Sequence, residues 1–214
     1  RNNNGEFYRT NETEKFITNF NLMRWCWITQ KEWENYQKAI TIIVDDREKS
    51  WLHIEDYFTQ NNIPYVRQRL KSGDYTFKAV NEKIDYNFTK DIVVERKNSV
   101  SELASCFGQS RTRFESEFQR LKDNNTEVFM VIENDKYDDI IYGNYRSNIV
   151  PNSVEASLLS WMMRYDIKVV FCNKRNSGHV IHNILKYYLR EFIKNTEKSN
   201  DNDKKWNTAW NMFW

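Results

Sequence analysis

With 5 glycines and 2 prolines among 214 residues, the chain has few points at which a helix or strand must break, so long regular elements are expected. Its 3 cysteines, Cys26, Cys106 and Cys172, are scattered and odd in number. That excludes a disulfide framework and a zinc motif, and it suits free thiols in a reducing compartment. His179 and His182 stand three apart on an expected helix, but no third ligand lies nearby, so no metal role follows for them. No apolar run approaches the ~18 residues that mark a membrane span. No N-terminal stretch reads as a signal peptide. A membrane partner is therefore excluded and a cytoplasmic protein expected. The net charge is only +2, which excludes a generally basic nucleic-acid coat. Any contact with nucleic acid must come from a local basic surface.

What is present suits one ordinary domain with appendages. Hydrophobic residues make up 40% of the chain and charged residues 29%, enough for a core and too apolar for disorder throughout. Residues 1–39 read as an aromatic-rich N-terminal arm carrying Trp25, Trp27 and Trp33, with a polar, disordered start. Thr29 and Glu32 form a T-x-x-E capping box that predicts a helix from about Gln30. The main domain is expected over 40–195. Residues 196–214 read as a charged linker followed by Trp206, Trp210 and Trp214, spaced for one helix face. The chain opens on Arg1 rather than Met, as a fragment would.

Within the main domain, the run from Ile40 to Val44 reads as a buried strand, followed by a helix over 50–61. Strands are predicted over 65–70, 74–80, 91–97, 127–134 and 167–172. Helices are predicted over 99–107 and 112–122, from Asn152 onward, and over 179–194. Ile181, Leu185, Tyr188 and Phe192 are expected to face inward on the last. Interleaved strands and helices, with several strands apolar throughout, predict an α/β domain: a central mixed β-sheet flanked by helices.

Acids gather where these strands begin and end. Asp45 and Glu48 follow the first strand, Asp74 follows Gly73, and Glu95 lies near the end of IVVERK. Glu95 and Lys97, two apart on a strand, point to one face, and Arg96 points to the other. Carboxylates brought together repel one another and call for a cation. Hard oxygen donors suit Mg²⁺, with Mn²⁺ as the alternative. A neighbouring lysine would then offset charge building on a phosphate. Arg111, Arg113, Arg120 and Lys122 lie on or near the following helix and could meet phosphates, although Glu115 and Glu117 interrupt them, so a solvated face is the other reading.

The chain resembles the nuclease domain of the XPF family of structure-specific DNA endonucleases, within the wider group of restriction-endonuclease-like nucleases. The family signature GDx(n)ERKxxxD is met by Gly73-Asp74 and Glu95-Arg96-Lys97, and an upstream VDxRE element by Val44 to Glu48. A further RTRFExEF segment at Arg111–Phe118 and YYLRE at Tyr187–Glu191 resemble the compact bacterial and phage-type members. The resemblance implies divalent-metal cleavage of branched, flapped or junction DNA, by a bacterial or phage-encoded enzyme that pairs as a homodimer or heterodimer. It implies Asp45, Glu48, Asp74 and Glu95 as metal ligands, and Asp74, Glu95, Lys97 and Arg96 as the catalytic set. Arg47, Arg111 and Arg113 would contact DNA, with Arg47 equally suited to holding an acid in place. Two departures stand out. Ser101 occupies the place of the signature's final Asp, with Ser99 and Glu102 forming an S-x-x-E helix cap beside it. No helix–hairpin–helix or helicase segment is visible. A non-catalytic DNA-binding or scaffolding subunit of the same fold is the alternative, and a duplex-specific nuclease of the wider group is a third reading.

Overall fold

The computed structural model describes residues 28–212, with side chains described as far as residue 196. The expected N-terminal arm over residues 1–27, with Trp25, Trp27 and Cys26, lies outside the described residues, as do Trp214 and the side chains of Trp206 and Trp210. Two compact units are distinguished: residues 35–188, and residues 1–34 together with 189–214. In the second, Trp33 is buried and the Arg190 guanidinium lies 5.7 Å from its ring centroid.

Helix α1 (Gln30–Ala39) begins where the capping box places it, with Thr29 Oγ1 accepting the Glu32 N–H and Glu32 Oε2 accepting the Thr29 N–H. It leads into β1 (Ile40–Val44), α2 (Leu52–Gln60), β2 (Tyr65–Arg67), β3 (Tyr75–Val80), β4 (Asp85–Asn87) and β5 (Ile92–Lys97). Then follow α3 (Val100–Cys106), α4 (Arg111–Asp123), β6 (Glu127–Glu133), α5 (Tyr137–Ile141), α6 (Pro151–Tyr165), β7 (Ile167–Cys172) and α7 (Ser177–Met212). The seven strands form one sheet in the order β2-β1-β3-β5-β6-β7, with β4 paired to β3. It is mixed: β3 runs antiparallel to β1, β4 and β5, whereas β1–β2, β5–β6 and β6–β7 are parallel. The predicted fold class is the observed one.

Differences from the sequence reading are local. The strand expected over 65–70 stops at Arg67, where β2 is a mostly exposed edge with little apolar surface to extend. Strand β4 and helix α5 are too short and too polar to announce themselves by periodicity. Helix α7 continues past Lys194 to Met212. Its buried large apolar positions are Ile181, Leu185, Leu189 and Ile193, a strict four-residue spacing, while the expected Tyr188 and Phe192 are half-buried. Tyr188 faces inward as expected, in T-shaped contact with the buried rings of Phe77 and Phe88.

One core cluster packs Val93, Met130 and Ile132 of the sheet against Leu103, Phe114, Phe118 and Trp161 of α3, α4 and α6. Side chains alternate along β5, so Val93, Glu95 and Lys97 share this face while Val94 and Arg96 take the other. No helix among the described residues is long and apolar enough to cross a membrane.

Candidate active site

The site is assembled at the ends of β1, β3 and β5. Gly73 makes the turn before β3 possible. Its φ is +69°, and a Cβ there would stand 2.8 Å from the Cβ of Val93. The turn delivers Asp74 into the sheet: its N–H donates to Val94 at 2.9 Å, and its carbonyl accepts from the Asp45 N–H at 2.8 Å. Backbone hydrogen bonds thus tie the acid after β1, the acid before β3 and the end of β5 together. From α4, Arg120 donates to Ser72 Oγ at 2.7 Å and braces the same turn.

Asp45, Glu48, Asp74, Glu95 and Lys97 all line one open cleft, with Arg47, Lys71, Glu102, Cys106, Arg113 and Glu117 among the other walls. Arg111 is not brought to it. That guanidinium is tied to Glu115 at 2.9 Å and to Ser157 at 3.1 Å. Lys122 is likewise turned away, donating to the carbonyl of Arg164.

Each acid has a different environment. Asp45 has both oxygens engaged: Oδ1 accepts the N–H and Nε of Arg47, and Oδ2 accepts Arg47 Nη2 and the Leu70 N–H. Burial alone would raise its pKa, but these donors outweigh burial and hold it at about 2. Arg47 here takes the acid-holding role. Asp74 is the reverse case. Burial, then the charge of Glu95, push its carboxyl well above the usual range, against the Arg96 N–H that Oδ2 accepts at 2.8 Å. Glu95 takes Lys97 Nζ at 2.5 Å. Burial works to lower the Lys97 pKa, yet the Glu95 charge more than offsets it, so the ammonium stays charged. Lys97 Nζ also lies 4.6 Å from the ring centroid of Phe114.

Behind the cleft, on the other face of the sheet, Arg96 bridges Glu48 at 3.0 Å and Glu133 at 2.8 Å. Glu133 was not singled out from the sequence. Its signal was there: EVFMVIE is a buried apolar run ending in an acid, like IVVE. Lys71 was also missed, hidden in a polar turn.

The donor chemistry fits a hard divalent ion. Asp74, Glu95 and Glu48 supply oxygen only, and the raised Asp74 carboxyl marks an acid short of countercharge. Among the described residues, no three acid, His or Cys side chains stand grouped to hold an ion as they lie, and Glu95, Glu48 and Asp45 are each paired with a cation. Magnesium is compatible with that, since it commonly takes one or two carboxylates and completes its shell with water and substrate phosphate.

The Ser99–Glu102 cap forms, with one change. Ser99 Oγ accepts the Glu102 N–H at 3.2 Å, but Glu102 Oε2 reaches the N–H of Asn98, at 2.9 Å, rather than that of Ser99. Ser99 is fully extended, φ −170°, so it is the preceding amide that meets the helix. Asp135 Oδ2 takes the Val100 N–H at 2.6 Å. Ser101, standing where the signature has Asp, accepts the Arg146 N–H.

Residues 44–184 match the family model of the ERCC4 domain. Among solved structures, the chain is similar to XPF from Aeropyrum pernix, with 19% identity and a TM-score of 0.52 over 69% of this chain and 61% of that one. It is also similar to XPF from Aeropyrum pernix in complex with DNA, with 19% identity and a TM-score of 0.50 over 71% of this chain and 66% of that one. The chain therefore spans less than two thirds of the length of either structure. A search of the curated proteins found no match.

Proposed function

Because the chain belongs to the ERCC4 domain family and carries an XPF-type nuclease domain, we propose that it is a metal-dependent DNA endonuclease acting on branched, flapped or junction DNA. The observation that carries the reading is the convergence of Asp74, Glu95 and Lys97 in one cleft with Glu48 and Asp45 on its wall. DNA as substrate is supported by the structural neighbour solved in complex with DNA.

In this mechanism, Asp74 and Glu95 would hold the ion, with Glu48 beside them, while Asp45 fixes the loop through Arg47. Magnesium, when bound, acidifies a coordinated water and offsets charge on the phosphate. With Glu95 engaged by an ion, Lys97 would no longer be held in its close pair with that carboxylate. Its ammonium, already in the cleft, then faces the phosphate oxygens where charge builds. Lys71 and Arg113 line the same cleft and steer the backbone phosphates toward the acids. A homodimer or a heterodimer with a related partner remains part of the proposal, and sedimentation at micromolar concentration reads it directly.

The test uses end-labelled flap, splayed-arm, four-way-junction and plain duplex DNA, with Mg²⁺ or with EDTA. Cleavage is expected only with the ion and preferentially on branched substrates. Glu95→Gln is expected to abolish cleavage with the fold intact. Lys97→Ala is expected to lower kcat by about 10²–10³, the scale seen when one transition-state donor is removed, while Mg²⁺ still binds. Full turnover in EDTA, or a loss confined to KM in Lys97→Ala, contradicts the assigned roles. A non-catalytic subunit, the second reading, is disfavoured because all four acids and the lysine are retained.

A further inference from the structure

The buried acid that closes β6 has no role in the chemistry above. Glu133 is 0% exposed. One of its oxygens accepts Arg96 Nη1 at 2.8 Å, and the other lies 2.7 Å from Nε2 of His53 on α2. Arg96, with its side chain only 4% exposed, gives its second terminal nitrogen to Glu48 at 3.0 Å. Its Nε finds no hydrogen-bond partner among the described residues. Glu48 sits in the turn after β1, outside any strand. Among the described residues, the N–H of Ser50 and Arg96 hold its carboxylate.

A buried ion network of this kind is a poor way to gain stability, because apolar side chains of similar volume commonly do as well. Its geometry suits another purpose. Arg96 pairs with Val131 across β5 and β6, so Glu133, two residues further on, stands on the same face at the right reach. A planar guanidinium held at two points cannot turn about its axis. Glu133 also shares the arginine's charge. Without it, Glu48 would be the sole anionic partner of a buried cation and would be drawn away from the cleft.

We infer that Glu133 is a positioning residue: anchored by His53, it orients Arg96 and leaves the Glu48 carboxylate available to a divalent ion. The inference rests on the metal-site reading of the cleft and extends it to the opposite face of the sheet.

Calorimetric Mg²⁺ titration of the full chain tests it, using wild type, Glu133→Gln, Glu48→Gln and the double variant. Partners that orient a metal ligand are commonly worth 10–100-fold in affinity, so Glu133→Gln is expected to weaken Mg²⁺ binding about 10-fold. The double variant is expected to bind no more weakly than Glu48→Gln alone, since both changes act through one carboxylate. Cleavage should lose kcat at unchanged KM. A Glu133→Gln protein that melts earlier in EDTA but binds Mg²⁺ as wild type does overturns the inference, as does full additivity in the double variant. Should Glu133→Gln fail to fold, His53→Ala gives the same reading: Mg²⁺ binding several-fold weaker and recovered in His53→Gln supports it, and unchanged binding overturns it. Wild-type protein that binds Mg²⁺ yet cuts no DNA defeats the nuclease reading alone. Wild-type protein that binds no Mg²⁺ overturns the positioning inference together with the metal site.

Discussion

Asp74 is the residue at which function and stability pull apart. Its carboxyl is pushed upward by burial and by Glu95, so the folded protein binds that proton more tightly than the unfolded chain does. The sign follows directly. Stability is lost as pH rises through the raised pKa, and no penalty remains below the ordinary carboxyl value. Asp74→Asn is therefore expected to raise Tm of the metal-free protein at neutral pH, with the gain shrinking as the solution is acidified toward the ordinary carboxyl range. Adding Mg²⁺ should raise Tm for wild type and leave Asp74→Asn unmoved. Thermal melts at several pH values, with and without the ion, check both halves. A variant less stable than wild type at pH 7 in EDTA would show that Asp74 is a structural acid. Asp45 behaves oppositely: held at about 2 by Arg47 and Leu70 despite its burial, it adds stability that disappears only as pH falls through that value.

At the level of the element, the turn before β3 and the cap of α3 decide whether the acids arrive in place. Gly73→Ala forces a side chain into a left-handed φ and against Val93, and about 1–3 kcal/mol of destabilisation is expected from denaturant melts. Ser99→Ala removes the acceptor for the Glu102 N–H and should cost about 0.5–2 kcal/mol. Glu102→Gln keeps an oxygen for the Asn98 N–H, so stability and cleavage should both stay near wild type. Lost cleavage with unchanged Tm would move Glu102, which borders the cleft, into the chemistry. These two devices were legible beforehand because Gly before Asp and S-x-x-E are local patterns with local causes. The strand bearing Glu95 and Lys97 was legible through its short apolar run, and the period of two along a strand then put those two side chains on one face. Glu133, His53 and Lys71 were not. Their roles come from strand neighbours and loop closure across tens of residues, and nothing in the chain near Glu133 says that Arg96 lies beside it. Arg111 shows the converse error: a basic residue in a persuasive motif, turned by its own helix toward Glu115 and Ser157.

For the molecule as a whole, a net charge of +2 would give DNA, the proposed substrate, little general attraction, so the proposed binding rests on a few cleft cations. Affinity measured in Ca²⁺ or EDTA should fall with salt along a shallow slope. Lys71→Ala and Arg113→Ala should each lower that slope by about 1, the value for one phosphate contact, whereas Arg111→Ala should leave it unchanged. Equal slopes in all three variants would remove the cleft as the DNA path. The backbone link from Asp45 through Asp74 to Val94 has a different kind of consequence. These amide hydrogen bonds join the ends of β1, β3 and β5, and amides held in this way are expected to exchange slowly with solvent. Asp45, Asp74 and Glu95 are thus tied to the sheet through its backbone, whereas Glu48 stands in the turn after β1. If the proposed function holds, adaptation to different DNA shapes falls to the walls of the cleft and to the nucleic acid rather than to the acids carried on the sheet.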